Sequence, residues 1–559
     1  MRDSREPAPL PEKNDNSFRG TLLFGLLFGI VISFQVGSGA WESDFGKHAD
    51  EGAHVVTSLM VRDYLAGGWR EQWHPMRYAE AYYERFPKVA IGHYPPGFYL
   101  VAAAFLLLAR VPEVLLILLA LLATFAGWQT WRMGRRWLDS DSPALVAGVL
   151  FCVLPLVRSY TAIVMADLLL VVFGLLALDA WIRFREKPSF RRSITFGCWA
   201  AAAILAKGSA LSLGLLPPLA ILLGRQWALL RDLRLWVAAV PVVVFAFPWY
   251  WLTQDITAEG MQDRGPVEYF GEAAPYYFFG LGREMSWIVL VAALGWAGAS
   301  IFAIVRKKGS LDAYASDLLA FCLGTLLLIC LIPTGLDHRY LMPVVPVMIL
   351  LGVGAVWWIV KGRGKGWEWG GMAVFAFFVL FSSWRSGEKR YTGAGEAVAA
   401  VLSASRENGG DPERRKKLLI VSDAKGEGAL TAAAAFRGRD RLHVLRGTKT
   451  LAGSDWMGRD YVSRVPSRDD FKDVLREEGV GFVILEKTDG ATDSPAHWLQ
   501  SENYLSESGT IGKKLAEVDS IRSRGRKSSF TVYRINLPKP GPGGTEPSPP
   551  GAARADRAR

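Results

Sequence analysis

The chain has 559 residues, 51% of them hydrophobic, with a mean hydropathy of +0.18 and a formal net charge of +11. This excludes an ordinary multidomain soluble protein, because the apolar residues gather between about residues 18 and 384 in blocks too long for amphipathic surface helices. The basic residues do not form one patch, which argues against a nucleic-acid partner, and Cys152, Cys198, Cys322 and Cys330 all lie inside apolar blocks, leaving no disulfide framework or CxxC metal site.

In chain order, residues 1–18 read as a cytoplasmic polar tail, followed by an uncleaved first span over 21–36. Orientation follows the Lys/Arg bias of short loops. The loops 132–136, 183–192, 225–234, 306–308 and 361–365 hold 17 Lys/Arg against only Glu186 and Asp232, whereas 41–96 holds eight Asp/Glu to six Lys/Arg and 254–284 six to two. Basic loops are assigned to the cytoplasm and acidic ones outside. That parity requires 97–131 to cross an odd number of times, as a partial-depth segment 97–109 broken at 110–113 and then one full span. It also splits 193–224 at 207–209 into two short spans. The reading is a polytopic α-helical membrane protein of about 11 transmembrane helices over 19–384. With an odd count, the following C-terminal soluble α/β domain lies outside. Residues 385–537 alternate β-rich runs (417–421, 441–445, 481–485, 529–535) with helix-compatible stretches such as 428–436, and 538–559 reads as a disordered Pro/Gly/Ala tail.

The first outer loop, 41–96, is long for a connection in this chain, and long ordered loops commonly carry function. It holds four of the seven histidines (His48, His54, His74, His93), the pair Asp50–Glu51, and the step Pro95–Pro96 into the membrane. The apolar spacing after Glu51 predicts an amphipathic helix along the membrane surface, with a carboxylate at its head. The competing reading is a solvated helix start with scattered, non-ligating histidines. Other charges stand at the outer ends of spans: Arg158 and Asp167 around RSYTAIVMAD, Lys207 in AKGS, and Asp337, His338 and Arg339 before LMPVVP. At such depths a charge faces a polar cavity or snorkels to the interface. The topology places all of them on the same face as Asp50. His48, Asp50 and His54 are also the residue types of a divalent-metal site, although no HExxH spacing accompanies them; no cofactor is fixed. The KGEG turn after 418–421 resembles a phosphate loop only weakly.

The succession ADEGAHV, HYPPGFYLVAAAF, RSYTAIVMADLLLVVFGLLALDAW, AAAILAKGSALSLGLLPP, FPWYW and HRYLMPVVPVMILLG resembles the polytopic lipid-linked-sugar glycosyltransferases of the GT-C fold. Within that group it is similar to the bacterial branch related to protein O-mannosyltransferases and to the aminoarabinose transferase that modifies lipid A (glycosyltransferase families 39 and 83). The resemblance covers roughly residues 20–384 and implies transfer of a sugar from a polyprenyl-phosphate carrier to a lipid, glycan or protein acceptor. The reaction would take place on the outer face of a bacterial cytoplasmic membrane. It puts Asp50 at the catalytic centre, with Glu51 beside it and Asp167 as the acidic residue of the second outer loop. Lys207 and Arg339 stand as donor-phosphate ligands, joined by Arg158, His93 and Tyr94. Relatives often carry a lysine just before the proline pair, where this chain has His93 and Tyr94. The residue types suit the chemistry: a carboxylate takes the acceptor's proton while cations hold the departing phosphate. Two other readings are a lipid-linked-saccharide transporter or flippase, and an inactive envelope scaffold. Against the transporter stand the absence of an internal repeat and the clustering of charge at one face.

Overall fold

A computed structural model describes residues 13–307, 312–385, 387, 389–406, 416–438, 441–453, 461–488, 495–506, 511–522 and 526–537. The expected disordered tail 538–559 and most of the N-terminal tail fall outside the described residues. The chain divides into two compact units, one formed chiefly by 13–83 and 88–392, the other by 393–521 and 526–537.

The first unit is helical. It runs through α1 (Lys13–Gly37), α2 (Glu51–Asp63), α3 (Gly97–Leu108), α4 (Glu113–Leu138), α5 (Asp141–Val153), α6 (Pro155–Thr161), α7 (Asp167–Glu186), α8 (Phe190–Ala206), α9 (Ala313–Leu331) and α10 (Val345–Val360), among shorter segments. Among the described residues five helices are long and apolar enough to cross a membrane, or seven if two bent pairs each count as one span. The remaining expected spans include helices that are short or broken. Gly97–Leu108 stops before the turn at 109–112, and the stretch from Phe190 breaks at Lys207 into a 3₁₀ turn, Gly208–Gly214, followed by Leu216–Gly224. Both breaks fall where the loop charges require them.

Small residues let these helices approach closely. A Cβ on Gly127 of α4 would lie 2.6 Å from Cys152 Sγ of α5, and one on Gly148 would lie 2.9 Å from the Gly127 carbonyl. Pro155 opens α6 and bends it 55° from α5, as expected of a residue that lacks an N–H and is tolerated only in a first turn. Near the start of α4, Gln35 Nε2 of α1 donates to the Leu116 (2.9 Å) and Thr161 (2.6 Å) carbonyls, tying three helices together at one level. Toward the other end, Asp317 of α9 accepts from Trp181 Nε1 (2.8 Å) and Arg185 Nε (3.0 Å) of α7. A charge this deeply buried is tolerated because both carboxylate oxygens are engaged.

The helix after Glu51 forms as expected but does not lie on a surface. Val55, Val56 and Leu59 are completely buried, and so are the polar Glu51, Thr57, Ser58 and Asp63, so α2 is packed on nearly every side. The amphipathic surface helix is therefore replaced by a core helix of the loop layer. Its hydroxyls satisfy themselves locally, Thr57 on the Ala53 carbonyl (2.7 Å) and Ser58 on that of His54 (2.7 Å).

The second unit carries a five-stranded sheet in the order β2–β1–β5–β7–β6, from β1 (Lys417–Val421), β2 (His443–Arg446), β5 (Phe482–Thr488), β6 (Gly512–Arg522) and β7 (Arg526–Ile535), with β3 (Ala452–Gly453) and β4 (Val462–Ser463) as a separate pair. Strands β2, β1 and β5 are parallel and β7 runs antiparallel to β5. Leu418–Val421 and Phe482–Leu485 are buried, as a strand covered on both faces requires. The KGEG turn opens the helix Ala424–Arg437, but Asp423 already accepts from the Lys425 and Gly426 N–H groups (3.0 and 2.8 Å), while buried Glu427 binds Arg446 Nε (2.7 Å). The donors a phosphate would use are occupied.

Candidate active site

The site assembles from the head of α2, the turn before the proline pair, and the 3₁₀ turn His338–Val344 that leads into α10. Asp50 stands at the N-cap of α2, where an aspartate ordinarily binds the N–H groups of the first turn. Here its side chain makes no capping bond. Instead Tyr94 donates its hydroxyl to Asp50 Oδ2 at 3.0 Å, and Arg339 Nη1 lies 3.1 Å from the same oxygen. All of these contacts use Oδ2. Oδ1 has no partner among the described residues, and the side chain is 27% exposed.

Adjacent helix-start residues point in different directions, and Glu51 shows the contrast. It is completely buried, accepts the Lys47 N–H (3.0 Å) and the Val164 N–H (3.1 Å), and lies 2.9 Å from Lys389 Nζ. Its carboxylate is consumed in joining the loop to two distant parts of the unit.

Arg339 is held from below. Asp337 Oδ1 accepts the Arg339 N–H at 3.0 Å, and Asp337 Oδ2 lies 3.3 Å from Arg339 Nε and 3.2 Å from His48 Nε2. The Asp50 N–H donates to His48 Nδ1 at 3.1 Å, which makes Nδ1 the acceptor and leaves Nε2 to carry the proton toward Asp337. His48 thereby fixes the backbone of Asp50 relative to Arg339. Nε and Nη1 of Arg339 are buried yet make no hydrogen bond of good geometry, so the guanidinium keeps unspent donors.

Electrostatics follow from this geometry. Burial opposes ionisation of Asp50, but the Arg339 guanidinium above all, with the Tyr94 hydroxyl, outweighs it and holds the carboxyl far below the usual carboxylate range. Asp337 is likewise buried, yet the His48 hydrogen bond and Arg339 bring it down to about 2. Burial, aided by Arg339 and Lys207 and opposed by Asp50, pushes His54 down to about 3. His54 is a neutral ring, its centroid 4.6 Å from that of Tyr94 at a tilt of 58°, with Nδ1 3.1 Å from the Tyr99 hydroxyl.

Lys207, at the break after α8, lies 2.6 Å from Asp167 Oδ1 at the start of α7, and both side chains are buried. The Lys207 ammonium stands 4.7 Å and the Arg339 guanidinium 5.3 Å from the Tyr340 ring, so one aromatic ring gathers both cations. Two residues named from sequence stand apart. The Arg158 guanidinium lies 4.9 and 4.7 Å from the Phe34 and Trp384 rings and donates to the Arg385 carbonyl. His93 is paired with the Ile256 backbone and Glu259 more than with Asp50, and burial lowers its pKa. The metal set does not form: among the described residues no three His, Cys, Asp or Glu side chains converge as ligands. His54 turns to Tyr99, while the imidazole of His48 is engaged by the Asp50 N–H and Asp337. The sequence reading gave no role to His48–Asp337 as a support or to Lys389 as the partner of Glu51. Asp337 in DHRY, a carboxylate beside an arginine at a span end, was the available signal for the first.

The family model described as dolichyl-phosphate-mannose-protein mannosyltransferase matches residues 93–251. Comparison with curated proteins gives no match. Among solved structures, ArnT from Cupriavidus metallidurans in the apo state is 16% identical, covering 92% of this chain and 98% of its own at a TM-score of 0.55. The same protein bound to undecaprenyl phosphate gives 15%, 91%, 97% and 0.53. The archaeal oligosaccharyltransferase AglB from Archaeoglobus fulgidus, in complex with an inhibitory peptide and a dolichol-phosphate, is 10% identical over 84% of this chain and 69% of its own, at a TM-score of 0.52. At these identities the likeness speaks for architecture: the chain has the GT-C, ArnT-like fold of an integral membrane protein.

Proposed function

We propose that this chain is a membrane glycosyltransferase that moves a sugar from a polyprenyl-phosphate carrier to an acceptor on the outer face of a bacterial cytoplasmic membrane, with Asp50 as the base. The observation that carries the reading is the pairing of an open carboxylate oxygen, Asp50 Oδ1, with a buried arginine that keeps unspent donors. Support for a lipid-phosphate donor comes from the mannosyltransferase family model over 93–251 and from the two lipid phosphates named with the matched structures.

In this reading the acceptor's nucleophilic atom attacks the anomeric carbon, the bond from that carbon to the phosphate oxygen breaks, and Asp50 Oδ1 takes the acceptor's proton. Arg339 holds the leaving phosphate through its fork of donors, and Tyr94 orients the carboxylate. The same pair offers timing. Unbound, Arg339 depresses Asp50 strongly and makes it a poor base. A phosphate taking up the guanidinium's charge relieves that depression, so Asp50 gains basicity only when donor is present. Lys207 shares the Tyr340 ring with Arg339 but is neutralised by Asp167, and the pair holds the span ends together. Glu51 holds the loop instead of reacting, and Arg158 packs the scaffold.

The test is transfer of radiolabelled sugar from a panel of synthetic polyprenyl-phosphate sugars to extracted envelope lipids, glycans and proteins, comparing wild type with Asp50→Asn and Arg339→Met. Loss of transfer in both folded variants supports the reading. Equal transfer by wild type and Asp50→Asn removes Asp50 from the mechanism.

A further inference from the structure

At the end of α4 remote from Asp50 lies a second built feature. Leu138 is 22 residues beyond Leu116, the level at which Gln35 ties the helices together, a rise of roughly 33 Å. There a cavity of about 750 Å³ opens between the start of α1 and the α4–α5 turn, lined among others by Gly20, Thr21, Trp128, Trp131, Arg132 and Arg135. The Arg132 guanidinium sits 4.8 Å from the Trp128 ring and that of Arg135 sits 5.2 Å from Trp131.

The charges are unevenly satisfied. Arg135 Nε binds Asp141 at 2.7 Å, and Arg136 binds Asp179 at 3.1 Å and also Glu186. Arg132 reaches only the Gln129 amide, at 3.3 Å, and no carboxylate among the described residues pairs with it. The Trp128 indole N–H is buried without a partner. Of the three arginines in the lining, Arg135 and Arg136 are held by carboxylates, so Arg132 is the cation left to take an anion. An unspent guanidinium and an unspent indole N–H beside aromatic faces suit a phosphodiester anion at a water–hydrocarbon boundary.

A second observation on α1 adds the tail. Thr21, which lines the cavity, begins a row spaced by four that continues through Gly25, Gly29 and Ser33, and those three residues line a mostly apolar groove of about 500 Å³. A Cβ at Gly25 or Gly29 would touch nothing within 4 Å, so the groove is open. From Thr21 to Gly29 the helix rises about 12 Å, within the roughly 15 Å of one hydrocarbon leaflet, whereas Ser33 and Phe34 lie beyond that depth.

We propose that this cavity and the adjoining part of the groove form a binding site for one anionic phospholipid of the leaflet opposite the Asp50 site, its phosphate on Arg132 and Trp128 and an acyl chain along Gly25–Gly29. The site is independent of the donor chemistry. Its test is native mass spectrometry of the delipidated full chain titrated with phosphatidylglycerol and, separately, phosphatidylcholine. The variants are Arg132→Ala, Trp128→Phe, which keeps the ring and loses the N–H, and Gly29→Leu, which fills the open groove. Wild type should retain one phosphatidylglycerol at least fivefold more than phosphatidylcholine. Arg132→Ala and Gly29→Leu should each cut that retention at least fivefold, while Arg132→Lys should restore part of it. Wild-type retention in both Arg132→Ala and Gly29→Leu overturns the proposal. A Gly29→Leu change from dimer to monomer with lipid retention unchanged assigns the groove to a second copy and overturns it as well. Inorganic phosphate that stabilises the protein thermally as much as the lipid does would reduce the site to a free-anion pocket and overturn the lipid assignment.

Discussion

Replacing Lys207 by methionine separates the two roles open to that residue, holding Asp167 or holding the donor phosphate. Its ammonium lies 2.6 Å from Asp167 Oδ1, with side-chain exposures of only 5% and 1%, and Asp167 Oδ2 already lacks a hydrogen-bond donor. Removing the cation leaves a buried, uncompensated carboxylate, a change that costs about 3–5 kcal/mol. Asp167 stands in the first turn of α7, where the helix dipole returns about 0.5 kcal/mol, so a loss of about 3 kcal/mol is expected. Replacing both partners, Lys207→Met with Asp167→Leu, removes the stranded charge and should recover stability to within about 1 kcal/mol of wild type. The assay is reversible unfolding in mixed detergent micelles, run beside sugar transfer. If Lys207→Met costs less than about 1 kcal/mol, the buried-pair argument is refuted. If the double variant recovers stability but not transfer, the pair acts on the reactants; if it recovers both, the pair serves only the fold.

Three further outcomes are expected. Asp50→Asn should lower single-turnover transfer at saturating donor by about 10²–10⁴-fold, the range of a lost general base, without a comparable loss of donor affinity. His54, neutral in the fold with its pKa pushed from 6.5 to about 3, binds a proton more readily unfolded. The stability that its neutrality contributes is therefore present above pH 6.5 and lost as pH falls toward 3, at about 1.4 kcal/mol per unit. Unfolding at pH 6 and pH 5 should show that slope, and His54→Phe should flatten it. Arg158→Ala removes a guanidinium packed against Phe34 and Trp384, so it should reduce stability by about 1–2 kcal/mol while KM for donor stays within twofold.

What the sequence disclosed depended on how far the cause lay from the residue. Helix breaks are local consequences of charge and of Pro and Gly, so the interruption at 109–112 and the one at Lys207 were legible from loop polarity, as were the strands at 417–421 and 481–485 from their β-branched runs. The second sheet edge was not: β6 reads KKLAEVDS, too polar to declare itself, and it forms because β7 offers a partner. The long apolar spacing of α2 was visible, but an amphipathic pattern cannot report that its polar face is also covered. That face is satisfied by its own Thr57 and Ser58 bonds and by Glu51, whose partners Val164 and Lys389 lie 113 and 338 residues away.

The same limit decides the reading of Asp50 and Glu51. Two consecutive carboxylates at a helix start are equivalent by residue type, yet about 100° of helical rotation separates them, so when one faces Arg339 the other turns inward. A glutamate turned inward is tolerated only with a cation and N–H donors at hand, and Lys389 with the Lys47 and Val164 N–H groups supplies them. With Glu51 committed, Asp50 keeps a helical backbone (φ −84°, ψ −16°) from which its side chain does not make the cap bond, worth about 1 kcal/mol, and its carboxylate turns to Tyr94 and Arg339 instead. A strong capping residue at a cap position that makes no cap bond is a local rule broken, and such breaks concentrate where function outweighs stability. Asp50→Ser, unable to take up Arg339, should therefore leave the helix start intact while abolishing transfer. Retained transfer in that variant would mean that the unused cap has no functional cause.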